Sequence, residues 1–440
     1  MLLRVLAREL PRIDDIGQRA RLLSHGERLL AELENPRELI PLADSLAASG
    51  EAGALAGGLR HLYLAVGDYE SFADQVLLGE TERRQRAAWL FDQAARCLEA
   101  KHGEALRRRA AAERILAAVL DEASLSRDME GRARYQLALL ALAADGDRRL
   151  QGDVPDGRDV ADLRRQLTEL RDAVPGTVWA EQALLNELHF LRERLRHPAD
   201  ADSLLRAWLM EPDRLHDVHS AWGLELELGE NLMALNDLAG AREHYEYLLE
   251  RVSSSQVGDW ARYRLAQLSI LDGQSVAAQD SLAGLAKDEP GGVLANDALD
   301  LALLLAESAM WPETVQSFLL GALRLEFTAR PGEAAERLLA FAGEFPDDDA
   351  SPALLYHAGN LLNAAWRGPE ALDAWLLLAD HHAQDFRAPQ GLEAAARLSY
   401  RLGEHERARK LLERILNEHP DFPLRPGLRD LQDLLAEDES

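Results

Sequence analysis

The stretch YRLGEHERARKLLERILNEHPDFP, residues 400–423, contains sequence signals for both ends of a helix. A Gly-Glu turn at 403–404 precedes a run rich in Ala and Leu, and Pro420 follows that run. Because glycine favours turns and proline cannot continue a helix, the stretch predicts a turn, a helix and a stop. The same pattern of residues recurs earlier in the chain, and this recurrence predicts the fold class.

Small residues mark the recurrence at regular distances. An alanine near the start of each predicted second helix gives gaps of 40, 37, 56, 37 and 37 residues between Ala201, Ala241, Ala278, Ala334, Ala371 and Ala408. Twelve residues before these alanines, five of the six units have a small residue, namely Gly229, Ala266, Ala322, Gly359 and Ala396. His189 occupies that position in the first unit. Small residues let paired helices approach closely, and each pair must stack on its neighbours to bury its apolar face.

This pattern resembles the tetratricopeptide repeat (TPR) over residues 178–423. That family has a large apolar residue four positions after the alanine, as Tyr245 and Trp375 are here, and a closing proline such as Pro420. The resemblance implies an all-α chain, an α-solenoid of stacked antiparallel helix hairpins forming a TPR-like superhelix. The 56-residue gap leaves room for an extra helix at 294–308.

The N-terminal part predicts less regular helical repeats. A Gly-Asp-Tyr turn at 67–69 separates two predicted helices. Residues 143–159 combine glycines, a proline and many charges, which predicts a loop or a domain boundary. We therefore predict a degenerate helical-repeat region at 1–145 and a TPR-like α-solenoid at 159–430.

Charge and composition limit the classes of partner and compartment. The net charge is −27, and residues 201–350 hold 10 Lys and Arg against 27 Asp and Glu, which disfavours nucleic acid. A basic partner suits this acidity, although acidity also maintains solubility. Cys97 is the only cysteine, so no intrachain disulfide is expected. Residues 1–10 do not look like a signal peptide, and no apolar run reaches the roughly 20 residues of a membrane span. The expected compartment is the cytoplasm, or the periplasm if a leader lies upstream.

Few residues indicate chemistry. His216 and His219 would share one side of a helix, but two ligands do not complete a metal site. The run 107–109 is three arginines and predicts a solvated face or an anion contact, and Asp349 or Ser351 is expected to cap the following helix. Nucleotide-binding, hydrolase and metal motifs are missing from the sequence, so we predict no enzyme, no cofactor and no metal.

The resemblance also implies where a partner would bind. In TPR-like stacks the first helices line a concave groove, and counting back from the aligned alanines predicts the groove residues Glu230, Met233, Tyr263, Gln267, Tyr356, Asn360, Asn363, Arg397 and Tyr400. Each could instead serve only for packing. The resulting hypothesis is a non-catalytic protein–protein interaction scaffold or adaptor that binds a peptide or protein segment. The alternatives are a TPR-type assembly factor of a bacterial envelope complex, and a ligand- or metal-sensing protein or enzyme without a recognisable motif.

Overall fold

The computed structural model of the protein describes residues 56–78, 83–99, 105–123, 125–253, 255–423 and 426–437. All regular structure in these ranges is helical, so the prediction of an all-α chain is confirmed. The interpretation of residues 1–10 lies outside the described residues. Among the helices of the described ranges, none is both long enough and apolar enough to cross a membrane.

The chain divides into two compact units, Met1–Ala141 with Ala436–Ser440, and Leu142–Leu435. The first unit contains α1 (Ala56–Val66), α2 (Tyr69–Leu77), α3 (Arg83–Glu99), α4 (Ala105–Leu120) and most of α5 (Arg127–Leu150). The second unit contains the end of α5 and a π-helical turn (Phe190–Arg194) together with α6 (Gly157–Ala173), α7 (Val178–His189), α8 (Pro198–Leu209), α9 (Val218–Ala234), α10 (Leu238–Val252), α11 (Gln256–Leu271), α12 (Ser275–Asp288), α13 (Ala295–Ser308), α14 (Glu313–Phe327), α15 (Pro331–Glu344), α16 (Ser351–Ala364), α17 (Gly368–His381), α18 (Ala388–Arg401), α19 (His405–Glu418) and α20 (Pro426–Glu437).

The first unit is built around large buried side chains. Tyr63, Phe72 and Ile115 are fully buried where α1 packs on α2 and α2 packs on α4. The predicted turn after α1 is present, because Gly67 has a positive φ of 75° and the side chain of Asp68 caps α2. Burial also raises the pKa of the Cys97 thiol to about 11, which leaves this cysteine an apolar packing residue.

The second unit follows the predicted register. The residue five positions before each aligned alanine lies in the turn inside a helix pair and has a positive φ, as seen for Arg196, Asn236, Gly273, Ala329, Trp366 and Gly403. The six alanines themselves are at most 1% exposed. Successive helices pack as neighbours from α6 against α7 to α18 against α19, except that α14 packs against α11 rather than against α13. The stacked TPR-like arrangement predicted from the alanine spacing is therefore confirmed.

Glycines permit the closest approach inside two of the pairs. A side chain at Gly229 would lie within 3.0 Å of the Tyr245 ring, and one at Gly359 would lie within 3.0 Å of the Trp375 ring. Each aromatic ring comes from the second helix of the same pair, four residues after the aligned alanine. The large residue of one helix therefore fills the space that the glycine of the other leaves open.

The extra helix predicted in the widest gap is present as α13, and it packs against α12. The next pair, α14 with α15, then resumes the register. The predicted cap of the helix that begins at Ser351 was wrong. The side chain of Asp348 accepts a hydrogen bond from the Ala350 backbone at 2.9 Å, while the Ser351 hydroxyl donates to the Phe345 carbonyl at 2.6 Å.

The loop predicted at 143–159 is shorter than expected, because α5 continues to Leu150. Gly146 suggested a turn, but it lies inside the helix, where a side chain would lie within 3.0 Å of the Trp366 ring. Its role is close packing rather than chain reversal. The helix therefore crosses the limit predicted at residue 145, and the domain limits 1–145 and 159–430 stay predictions.

Candidate partner-binding face

The predicted groove residues fall into two groups that share a register but differ in exposure. On α9 and α11, Met233 is 2% and Gln267 is 3% exposed, whereas Asn360 and Asn363 on α16 and Arg397 on α18 are exposed. We name these groups by their residues. The closed face is Glu230, Met233, Tyr263 and Gln267, and the open face is Tyr356, Asn360, Asn363, Arg397 and Tyr400.

A buried ion pair joins the two helices of the closed face. Arg264 of α11 donates from Nε to Glu230 Oε1 of α9 at 2.7 Å and from Nη2 to Glu230 Oε2 at 2.5 Å. Tyr245 donates its hydroxyl proton to the same carboxylate at 2.8 Å, and Gln267 accepts from Arg264 at 2.7 Å. A charged pair with this many hydrogen bonds offsets its desolvation. The Glu230–Arg264 pair therefore links neighbouring units, and both Glu230 and Gln267 are already engaged within the chain.

The remaining closed-face residues are also packed. Met233 belongs to the main apolar core, and Tyr263 packs against that core with its ring edge-on to Trp260, at a centroid distance of 6.2 Å. Burial raises the pKa of the Tyr263 hydroxyl well above its ordinary value, so the hydroxyl stays protonated. These side chains serve for packing in the structure, which was the alternative kept open for them.

A second buried cluster lies next to the closed face and was missed by the sequence analysis. The π-helical turn Phe190–Arg194 directs Arg192 inward, where its Nη1 donates to Glu227 Oε2 at 2.8 Å and to Asn231 Oδ1 at 3.1 Å. His189 Nε2 lies 3.0 Å from Glu227 Oε1. Burial raises the pKa of Glu227, but the charges of Arg192 and His189 outweigh it and lower this pKa to about 2. Two signals in the sequence mark this irregular unit: His189 stands where the other units have a small residue, and the gap from Ala201 to Ala241 is 40 residues rather than 37.

The open face presents polar groups that can reach a partner. Asn360 and Asn363 lie one turn apart on α16, and each amide offers both a donor and an acceptor. Arg397 is 48% exposed, and its Nη2 donates to Glu393 Oε1 at 2.6 Å within α18. The carboxylate of Glu393 is buried while the guanidinium of Arg397 is half exposed, so the outer side of the guanidinium can also reach a partner's carboxylate.

Aromatic side chains border these polar groups. Tyr356 and Tyr400 are half-buried and pack against the main core, and the Tyr400 ring stacks on His405 at a centroid distance of 4.8 Å. Tyrosines held in this way present a rigid apolar edge with a polar tip, which suits a peptide-binding surface. The open face therefore combines amides, a cation and two anchored rings in consecutive units.

The other candidates do not assemble into a chemical site. His216 lies before α9 rather than on it, and its backbone N–H donates to Glu181 Oε1 at 2.5 Å, so the expectation that His216 and His219 share a helix side was wrong. Within the residues that the structure describes, no three His, Cys, Asp or Glu side chains are arranged to hold a metal ion. The expectation of no enzymatic activity and no cofactor stays a prediction.

Comparisons with known proteins give likeness to solved structures only. No protein-family model matches the chain, and a search of curated proteins finds no match. The chain is similar to a tetratricopeptide repeat protein from Parabacteroides merdae, with 15% identity over 58% of this chain and 98% of that chain, at a TM-score of 0.23. It is also similar to the APC/C hetero-tetramer Cut9-Hcn1 (12% identity, 100% and 96% covered, TM-score 0.24) and to the P58(IPK) TPR domain (19%, 90% and 97%, 0.18). The paired helices and their shared register, rather than these scores, establish the TPR-like fold.

Proposed function

We propose that the protein is a non-catalytic interaction scaffold that binds a peptide or protein segment on the open face. The observation that supports this proposal is the exposure of Asn360, Asn363 and Arg397 at groove positions of two consecutive units. At the same register positions the closed face holds buried residues that bond to one another. Of the two groups, the open face is the one with polar groups available for a partner.

The chemistry of the open face favours an extended segment with a polar backbone. The paired amides of Asn360 and Asn363 can donate to and accept from peptide groups, and Arg397 can bind a carboxylate. Tyr356 and Tyr400 contribute apolar area beside them. The acidic segment 201–350 adds a long-range field that speeds the approach of a partner with basic residues outside the contact.

The test is affinity purification from the native host with quantitative mass spectrometry. The double variant Asn360→Ala/Asn363→Ala is compared with wild type and with the matched control Asn417→Ala, which changes an exposed asparagine on the second helix α19. We expect the same protein to be enriched by wild type and control, and at least roughly tenfold less by the double variant. Equal enrichment by all three would exclude the open face as the binding surface.

A further inference from the structure

The end of α5 is packed into a cleft made by residues far away in the sequence. Leu150 is 1% exposed and belongs to the main core of the TPR-like unit. Its carbonyl oxygen lies so close to Gly368 that any side chain at that position would collide with it. Gly146 makes a similar approach to the Trp366 ring. Two glycines, one on each side of the contact, therefore permit the helix to seat.

Charged groups hold the same helix end at both sides. Arg194 Nη1 donates to Asp145 Oδ2 and to the Leu142 carbonyl oxygen, each at 2.8 Å. On the other side, Arg401 Nη2 donates to Asp147 Oδ1 at 3.2 Å. The acceptors are the acidic residues of an Asp-Gly-Asp sequence, and the donors belong to the π-helical turn and to α18. The two arginines of the cleft thus bind the two aspartates of this helix end, which are followed by Arg148 and Arg149 in the last turn.

Trp366 lies at the centre of this cleft, in the turn inside its helix pair. Its φ is 62°, the left-handed conformation that Arg196, Asn236 and Ala329 share at equivalent turns. The guanidinium of Arg194 lies 4.2 Å from its ring centroid, and that of Arg401 lies 5.4 Å away. The Trp366 ring lies against Gly146, where any added side chain would come within 3.0 Å of it.

The cleft borders the open face. Arg401 lies one turn after Arg397 on α18, and Trp366 lies in the turn that follows α16, the helix that carries Asn360 and Asn363. Six residues, 151–156, separate the segment from α6, and all of them except Pro155 are exposed. The end of α5 is held in the cleft by ion pairs and glycine contacts, and an exposed connection follows it. It therefore resembles a ligand that the chain itself supplies.

We propose that the cleft formed by Arg194, Trp366, Gly368 and Arg401 is a binding site for helix ends that carry an Asp-Gly-Asp sequence, and that Leu142–Leu150 is its displaceable internal ligand. In the free protein the cleft is then filled by the chain's own segment. A partner helix with the same Asp-Gly-Asp sequence binds by displacing the end of α5. This site is separate from the open face, so its test does not depend on the proposed function.

The test measures binding of a labelled peptide of residues 138–153 to the full chain by fluorescence anisotropy. In Gly146→Ala, the added methyl group collides with Trp366 and releases the internal segment. The matched control is Gly284→Ala, another helical glycine, with no atom within 4 Å of an added Cβ. If the internal ligand fills about 90% or more of the sites, release raises apparent affinity at least about tenfold. We expect that gain for Gly146→Ala and wild-type affinity for the control.

Charge reversal identifies the site of the released peptide. Adding Arg401→Glu to Gly146→Ala should reduce binding by roughly tenfold or more, and a peptide carrying Asp147→Arg should restore it. If Gly146→Ala does not fold, Asp147→Arg in the full chain provides release by repulsion from Arg401, with the same expected gain. Affinity that stays at the wild-type level after release, or that ignores Arg401→Glu, would show that the end of α5 is a permanent part of the fold and would overturn the proposal.

Discussion

The closed face and the open face occupy the same register on equivalent helices, yet their side chains are in opposite environments. Gln267 is buried and bonded to Arg264, while Arg397, at the matching position three units nearer the C-terminus, is half exposed. Repeat register thus determines which residues correspond, but it does not determine whether solvent or a partner reaches them. The difference separates residues that link units from residues available for binding.

The interior of the helix pairs, by contrast, is alike in the two regions. Gly229 faces Tyr245 in the pair that carries the closed face, and Gly359 faces Trp375 in the pair that carries the open face. Three predictions, ordered by the size of the expected effect, can break or sharpen this comparison.

The largest effect is expected at the ion pair of the closed face. Arg264→Ala leaves the buried carboxylate of Glu230 without its cation and should lower the free energy of unfolding by about 3 kcal/mol or more. Arg397→Ala removes an i,i+4 pair whose cation is half exposed to water, and it should cost about 1 kcal/mol. Urea denaturation followed by circular dichroism measures both. Equal costs would mean that the two faces do not differ in energetic role.

A smaller effect, equal in the two regions, is expected for the pair interiors. Gly229→Ala and Gly359→Ala each force a methyl group against an aromatic ring and should each cost about 1–3 kcal/mol. Gly343→Ala is the matched control, because no atom lies within 4 Å of an added Cβ there, and it should gain up to about 1 kcal/mol from helix propensity. Calorimetric or urea unfolding compares the three. A cost at only one of the two glycines would show that the pairs are not built alike.

The smallest effect is a pH dependence at the junction of α14 with the open-face helix α16. Burial lowers the pKa of His357, but the charge of Glu326, whose Oε2 lies 2.7 Å from Nε2, and that of Asp300 hold this pKa above its ordinary 6.5. Because the folded state binds the proton more tightly, the stabilisation is complete below pH 6.5 and is lost as pH rises through the folded pKa.

His357→Gln should therefore flatten the decline in the free energy of unfolding on the alkaline side of pH 6.5. Urea denaturation of wild type and variant at several pH values between 6 and about 8 measures this slope. A slope in the variant equal to that of wild type would contradict the role assigned to the His357–Glu326 pair.

Much of the architecture could be predicted from the sequence because its signals are local. The alanine spacing located the helix pairs, and Gly229 and Gly359 indicated close packing before any coordinates were considered. Gly146 misled the prediction because a glycine that ends a helix and one that permits a close approach look the same in a sequence. Recognising the close approach requires knowing that Trp366, more than 200 residues later in the chain, packs against Gly146.

For a similar reason, only some of the predicted groove residues are exposed in the structure. Asn360 and Arg397 are exposed as a binding surface requires, whereas Glu230 and Gln267 are engaged by Arg264, which no spacing rule singled out. Burial at these positions depends on which side chains the neighbouring helices bring against them. The π-helical turn that brings Arg192 to Glu227 contributes to this packing, and only its irregular gap was visible in advance.

The sequence by itself determined the helices, their pairing and the positions of their turns, since helix propensity, small-residue contacts and turn residues act over a few tens of residues. Only the tertiary structure decided which inner surfaces are closed, which are open, and that the end of α5 fills a cleft beside Trp366. Those outcomes depend on contacts between residues far apart in the chain, such as Gly146 with Trp366, which no local pattern connects.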